Sequence, residues 1–274
     1  KILKKNVDSL LLSGGTDLSL VVTKDRQDIN SVIYMNSISE LNYIKKNRGY
    51  IEVGATTPLI EFESFIEQYY PDFTNILKRY GSTNIKNVAT IAGNIATASP
   101  IGDTLPLLLS LDAQVVLGST KKNKVLSLNN FFTNYRETKL KKGQFIRSIK
   151  IPLFPENIFK AYKISKRFDD DISSVCASFN VKLENKKIQS IRIAYGGMAS
   201  IPKRANYCEK ILLNSTMSER TIDKAKEALE KDFKPISDMR ASGKYRIEVA
   251  KNLLQKCFLE ITQKKLIRVN SLNG

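Results

Sequence analysis

The stretch Thr90-Ile-Ala-Gly-Asn-Ile-Ala-Thr-Ala-Ser-Pro-Ile-Gly-Asp103 carries most of the information in this chain. It holds two glycines, an asparagine, two threonines, a serine, a proline and one carboxylate, and no lysine or arginine. The whole chain has a net charge of +17, so the local absence of basic side chains is notable. Such a composition suits a loop that wraps a polar ligand with backbone N–H groups and short hydroxyls. It runs into Thr104-Leu-Pro-Leu-Leu-Leu-Ser-Leu111, which reads as a buried helix. Asp103 stands one residue ahead of it, where a carboxylate is expected to cap the first turn.

Upstream, Val7 to Leu12 reads as a short buried strand that ends in Ser13-Gly-Gly-Thr-Asp17. Adjacent glycines after a strand allow positive φ and close backbone approach, both useful for cradling a diphosphate. An ordinary tight turn gives the same pattern. The Gly-x-Gly-x-x-Gly dinucleotide signature is absent. Tyr80, ten residues before Thr90, offers either an aromatic face to a flat ring or a half-buried core contact. Lys163 falls on a strand and faces either a ligand or water. Arg167-Phe-Asp-Asp-Asp171 reads as a solvated charged loop.

The elements mix without strict alternation, so the fold class is α+β rather than a doubly wound sheet. Asp17–Thr23 reads as a short helix or strand, Asp28–Tyr34 as a strand, and Glu40–Lys46 as a helical turn or two. Tyr50–Gly54 is a strand. Thr57-Pro58 opens a helix running to Tyr70, which Pro71 stops. Phe73–Tyr80 is a second short helix. Ala113–Leu117 and Val125–Leu128 form a hairpin across Lys121–Lys124, and Gln144–Ile151 is a further strand. Pro152–Asn157 is the expected boundary, giving domains 1–155 and 156–274. Beyond it lie strands over 158–166, 172–183 and 188–195, with a hairpin tip at Asn185–Lys187. Thr216 and Glu219 form a capping-box pattern before a helix that buries Ile222, Ala225 and Leu229. A longer helix is expected from Asp238 to Ile261, with Tyr245, Val249, Leu253, Cys257 and Ile261 spaced four apart. The second domain therefore reads as a small antiparallel sheet with helices on one side.

Composition narrows the function. The chain has 274 residues, 42% apolar, and no run long enough to span a bilayer. It starts without Met, which reads as a piece of a longer protein or a processed chain; no signal peptide is visible, and the three cysteines read as reduced residues of a cytoplasmic protein. Histidine is absent, and Cys176, Cys208 and Cys257 lie far apart. That argues against a zinc site, an iron–sulfur cluster held by these residues alone, and imidazole-based catalysis. The basic excess is spread along the chain, +7 over residues 1–150 and +10 over 151–274. Specific nucleic-acid binders concentrate their charge on one element, so a basic scaffold or nucleic-acid-binding protein is the rival reading only.

Leu11-Leu-Ser-Gly-Gly-Thr-Asp-Leu18 together with Thr90–Asp103 resembles the FAD-binding domain of the molybdenum hydroxylases, the xanthine dehydrogenase family. Phe131–Thr138, Lys160–Lys163, Arg167–Ile172, Ala194–Ala199, Phe233–Ser242 and Tyr245–Ala250 follow in the family's order. The resemblance covers nearly the whole chain. It implies a vanillyl-alcohol-oxidase/PCMH-type FAD-binding domain followed by a CO-dehydrogenase-flavoprotein-like C-terminal domain. It implies FAD contacts from Leu11, Leu12, Ser13, Gly14, Gly15, Thr16, Asp17, Leu18, Tyr80, Thr90, Ile91, Ala92, Gly93, Asn94, Asp103, Ile146 and Lys163. Asp170 matches an acid at the flavin edge where nicotinamide approaches. The implied activity is electron transfer in purine catabolism. Substrate would be oxidised at a molybdenum cofactor on a partner subunit, and electrons would pass through 2Fe–2S clusters to FAD and on to NAD⁺ as hydride. A flavin subunit for carbon monoxide or an aldehyde is the near alternative. The expected assembly is a hetero-oligomer.

Overall fold

A five-stranded and a four-stranded antiparallel sheet organise the chain in a computed structural model that describes residues 2–119 and 122–264. The first lobe is small. After helix α1 (Ile2–Lys5), strand β1 (Leu10–Leu12) pairs in parallel with β2 (Val32–Tyr34), and α2 (Ser19–Thr23) lies between them. The segment after Asp17, open between helix and strand from sequence, is thus a helix. The strand expected over Val7–Leu12 is shorter and less buried than its apolar content implied, since Leu10 stays 42% exposed. In a two-stranded pair both strands are edges, each with a neighbour on one side only, so little of either strand is covered.

The second lobe is a five-stranded antiparallel sheet built from β3 (Ile44–Asn47), β4 (Tyr50–Gly54), β5 (Gln114–Gly118), β6 (Lys124–Ser127) and β9 (Phe145–Pro152), in the order β3-β4-β9-β5-β6. The helical turn expected at Glu40–Lys46 is only a 3₁₀ turn over Ser39–Leu41, and the remainder pairs with β4 as β3. Pairing with a neighbouring strand overrides weak local helix preference. Helices α3 (Leu59–Ile66), α4 (Pro71–Leu77), α5 (Thr83–Lys86), α6 (Ile91–Thr97) and α7 (Thr104–Ser110) pack around this sheet. The helix expected to run to Tyr70 ends at Ile66, so Pro71 does not stop it, and the next helix spans Pro71–Leu77 rather than Phe73–Tyr80. Pro71 opens that helix instead. It occupies the first turn of α4, where its missing N–H costs nothing. The turn expected over Lys121–Lys124 begins outside the described residues. A small pair, β7 (Phe132–Asn134) and β8 (Glu137–Thr138), follows β6.

The C-terminal region is a four-stranded antiparallel sheet, β10 (Ile158–Ile164), β11 (Val175–Glu184), β12 (Lys187–Gly196) and β13 (Lys203–Arg204). Asn185 and Lys186 take positive φ at the β11–β12 turn, as the hairpin tip required. Helices α8 (Asn206–Leu212), α9 (Glu219–Asp232) and α10 (Gly243–Gln263) cover one face.

The side chains of β11 alternate in a way that ties the two halves together. Val175, Ala177, Phe179 and Val181 enter the core under α9 and α10. Cys176, Ser178 and Asn180 face the other way, toward α7: Ser178 and Ser110 share a hydroxyl hydrogen bond of 2.6 Å, and the Asn180 amide donates to the Ser110 carbonyl at 3.1 Å. The sheet thus has its own helices on one face, as expected, and the first half's α4 and α7 on the other.

Two helix starts differ from expectation. The cap of α9 is Ser218, whose hydroxyl accepts from the Thr221 N–H, whereas Thr216 bridges to Lys187 two residues earlier. The long C-terminal helix begins at Gly243 with Ser242 as cap, not at Asp238. The four-residue ladder also drifts off its face: Leu253, Cys257 and Ile261 are buried, Tyr245 is 48% exposed, and Arg246 points inward instead. A spacing of 4.0 against a helical repeat of 3.6 rotates about 40° per step, so five rungs cannot all share one face.

Candidate functional site

The Ser13–Asp17 bend and the Thr90–Asp103 segment, 70 or more residues apart in sequence, meet in space. Gly14 lies against the chain just before Thr90: a Cβ built on it would stand 1.9 Å from the Val88 carbonyl oxygen and 2.9 Å from the Ala89 nitrogen. Only glycine permits that approach. Gly15 takes φ +71°, and its carbonyl accepts from the Ser19 N–H, which turns the chain into α2. The Ser13 hydroxyl donates to the Asn36 side chain at 2.8 Å, anchoring the bend from the other side.

The signature segment is not a loop throughout. Its first half is α6, capped by the Thr90 hydroxyl, which accepts from the Gly93 N–H at 2.9 Å. Glycine and alanine content concealed this helix from the composition-based reading. Ile91, Ala92 and Ile95 are buried beneath it, whereas Gly93 and Ala96 are exposed. The Asn94 amide donates to the Tyr80 hydroxyl at 3.1 Å, and its carbonyl oxygen accepts from Thr104. Tyr80 is therefore tied to the segment through its hydroxyl rather than serving as an isolated core ring. Burial pushes its hydroxyl pKa well up, with the Asp103 and Asp17 carboxylates adding to the shift. Both bends thus contribute charge around one tyrosine.

Asp103 does not cap α7. Its own backbone is helical and its side chain makes no cap hydrogen bond. The carboxylate turns instead toward the second sheet, where it pairs with Lys163 Nζ at 2.7 Å and accepts from the Ser173 hydroxyl at 2.5 Å. Lys163 is buried, so the water-facing alternative does not hold, and it also donates to the Arg79 carbonyl at 3.0 Å. A buried ion pair with further hydrogen bonds on both partners is the arrangement that offsets desolvation. Beside it, burial and the Asp103 charge push the Cys176 thiol up, which makes it a packing group rather than a nucleophile.

Ile146 lies in the core on β9, opposite Leu117, on a strand that packs against α6. Asp170 stays outside the buried cluster: it is exposed, at φ +49°, in a turn closed by Asp171 accepting from the Arg167 N–H and guanidinium. Asp17 reaches Arg136 at 3.8 Å.

Sequence reasoning missed Arg79 and Ser173. The Arg79 guanidinium donates to the Lys163 and Phe168 carbonyls and stacks on the Phe168 ring, 4.4 Å from its centre. Its position beside Tyr80 was the available signal. Ser173 was absorbed into a strand expected to start at residue 172; β11 begins at Val175, which leaves Ser173 free of the ladder to hold Asp103. A cleft of about 610 Å³ opens between α4, β10 and α10, bordered by Arg79, Tyr162, Lys163, Phe168 and Leu253.

Comparison with known proteins shows the family to which the chain belongs. Residues 1–154 match the FAD binding domain in molybdopterin dehydrogenase, and residues 160–261 match the CO dehydrogenase flavoprotein C-terminal domain. The chain belongs to this flavoprotein family. Xanthine dehydrogenase of Emericella nidulans is 31% identical over 241 residues, which is 82% of this chain but 18% of that protein. The glyceraldehyde dehydrogenase medium chain of Sulfolobus acidocaldarius is 27% identical over 263 residues, 95% of this chain and 93% of that one. The xanthine dehydrogenase FAD-binding subunit of Escherichia coli is 24% identical over 264 residues, covering 94% and 90%. The fold agrees with a chain of carbon monoxide dehydrogenase from Hydrogenophaga pseudoflava (TM-score 0.88, 22% identity, 93% of this chain and 90% of that one). It agrees equally with quinoline 2-oxidoreductase from Pseudomonas putida 86 (TM-score 0.87, 21% identity, 97% and 93%).

The residues present fit an FAD. The Gly14 approach to Val88 leaves two backbone bends side by side without intervening side chains, and short hydroxyls and amides surround them. Among the described residues no helix is long and apolar enough to cross a membrane.

Proposed function

We propose that this chain is the flavin-carrying electron-transfer unit of a xanthine-oxidising molybdenum hydroxylase. In this reading FAD is held by Leu11–Leu18, Tyr80, Thr90–Asn94, Asp103, Ile146 and Lys163, within a flavin domain of residues 1–155, with residues 156–274 as the second domain. The close contact of Gly14 with Val88 is the observation that carries it, because it joins the two bends into one cradle. When bound, FAD supplies the two-electron chemistry that links one-electron iron–sulfur donors to a hydride acceptor, here NAD⁺.

The chain's own residues bind and orient. The Ser13–Asp17 bend and the start of α6 offer backbone N–H groups to a diphosphate. Tyr80 is fixed through Asn94. Lys163 is a buried cation held in place by Asp103 and the Arg79 carbonyl, suited to steadying negative charge that grows on a nearby ring. No side chain has to act as acid or base, in keeping with a chain that lacks histidine. Asp170, on its exposed turn, is assigned to the approach of the nicotinamide. The molybdenum cofactor and the 2Fe–2S clusters belong to partner subunits or to a further segment of the polypeptide, in a cytoplasmic hetero-oligomer.

The xanthine assignment is supported by relatives named xanthine dehydrogenase in fungi and bacteria. A second reading, an aldehyde-oxidising enzyme, is favoured by the end-to-end match with the Sulfolobus medium chain. The assembled enzyme tests both. Xanthine-dependent formation of NADH supports the first. Turnover of glyceraldehyde without xanthine activity supports the second. Xanthine oxidation with no NADH formed refutes the acceptor.

A further inference from the structure

Arg246 is 1% exposed, on the first turn of α10, and its Nε has no hydrogen-bond partner. Burying a guanidinium with an unsatisfied donor is costly, so its remaining contacts must account for its place there. One terminal nitrogen donates to the Ser174 carbonyl at 2.5 Å and to the Gly197 carbonyl at 3.0 Å. The other donates to Asp238 at 2.8 Å. Burial works to raise the Asp238 carboxyl pKa, but the Arg240 and Ala241 N–H groups and the Arg246 charge outweigh it and hold the group below the usual value.

The two carbonyls belong to the backbone segments that grip the flavin loop. Ser173, next to Ser174, donates to the Asp103 carboxylate, and the Gly197 N–H donates to the Pro100 carbonyl at 2.8 Å. One guanidinium therefore sets the spacing of two segments that hold both ends of Pro100–Asp103. Gly197 takes φ +80°, and a Cβ there would stand 2.3 Å from the Ser174 oxygen, so the segments approach as closely as glycine allows.

We propose that Arg246 is a positioning residue for the flavin site, acting through Ser173–Ser174 and Gly197 on the loop Pro100–Asp103. The proposal rests on the FAD reading of that loop. It assigns to the C-terminal helix a direct part in shaping a site whose other residues lie almost entirely in the first half of the chain.

The test is FAD titration of the full-length protein, followed by flavin fluorescence, for Arg246→Met, Arg246→Lys and Ser173→Ala. Cys257→Ala serves as a control, because it opens a cavity under the same helix without touching Ser174 or Gly197. Thermal unfolding without FAD measures the stability loss of each. The proposal expects Arg246→Met to bind FAD about tenfold or more weakly, the scale of one lost charged hydrogen bond. It expects partial rescue in Arg246→Lys, near-normal binding by folded Cys257→Ala, and no further loss when Ser173→Ala is added to Arg246→Met. FAD affinity within about twofold of the parent in Arg246→Met, or an equal loss in Cys257→Ala, overturns it. If Arg246→Met does not fold, Arg246→Lys and Ser173→Ala decide: weakened binding in both supports the link, parental affinity in both refutes it. A parent protein that takes up no FAD at all would strike the flavin reading, and this link with it.

Discussion

Replacing Gly14 by alanine tests the cradle at its tightest point. The added methyl carbon would lie 1.9 Å from the Val88 oxygen and 2.4 Å from its carbonyl carbon. Ordinary contact begins near 3.4 Å, so the two bends must separate by roughly 1.5 Å, and the obstructing atoms are backbone, which cannot rotate away. Overpacking of this kind costs about 1–3 kcal/mol of stability. The same displacement separates the two bends of the proposed cradle, so a comparable penalty of about 1–3 kcal/mol, roughly 5- to 150-fold in Kd, is expected on cofactor binding. The assay is FAD affinity by fluorescence titration, with Gly143→Ala alongside. Gly143, unlike Gly14, has positive φ, at +77°, and a Cβ there meets nothing within 4 Å, so it is a glycine replacement with strain but no crowding. Gly14→Ala is expected to bind FAD roughly 5- to 150-fold more weakly while Gly143→Ala binds normally. Parental affinity in a folded Gly14→Ala protein would refute the reasoning that the two bends form one site.

Lys163→Ala is expected to shift the flavin midpoint potential downward by about 30 mV or more, the equivalent of one charge-assisted interaction of about 1.5 kcal/mol, measured by dye-coupled reduction; an unchanged potential would place the ammonium away from the ring. Asp103→Asn leaves the buried Lys163 charge without its partner and should destabilise the protein by about 3–5 kcal/mol in denaturant unfolding, with part of the loss recovered when Lys163→Met is added. Asn180→Ala removes the amide that joins the Ser110 carbonyl and the Asn157 side chain, leaving a buried carbonyl unsatisfied; about 1–3 kcal/mol should be lost in thermal unfolding. The Arg167 N–H and then its guanidinium draw the Asp171 carboxyl down to about 2, so the closure of the Arg167–Asp171 turn is present above the ordinary carboxylate range and is lost only as the pH falls from about 4 through about 2; an Asp171 midpoint near the ordinary value by NMR titration would show the turn open in solution.

The two bends and the domain order were legible because they depend on local chemistry. Paired glycines after an apolar strand, and a run of small polar residues before an apolar helix, restrict the backbone whatever surrounds them. The strands of the second sheet were legible for the same reason, since alternation over 158–195 is a local pattern. What was not legible depends on partners distant in the chain. Asp103 reads as a helix cap until Lys163 and Ser173, 60 and 70 residues later, are seen beside it. The strand over 172–183 does not by itself show what Ser178 and Asn180 meet; their partner, Ser110 of α7, lies about 70 residues earlier. Residues Ile91–Thr97 read as a loop because their glycine and alanine side chains leave a weak helical periodicity, and the Thr90 cap and burial under the sheet supply what propensity does not. Arg246 was hidden by a ladder of apolar neighbours whose spacing of four departs from the helical repeat.

The most direct measurement is the visible absorption spectrum of the purified full-length protein before and after addition of FAD. The account predicts flavin bands at one FAD per chain, either as isolated or on titration, and their loss of tight retention in Gly14→Ala. A colourless protein that leaves added FAD entirely free in solution would contradict it.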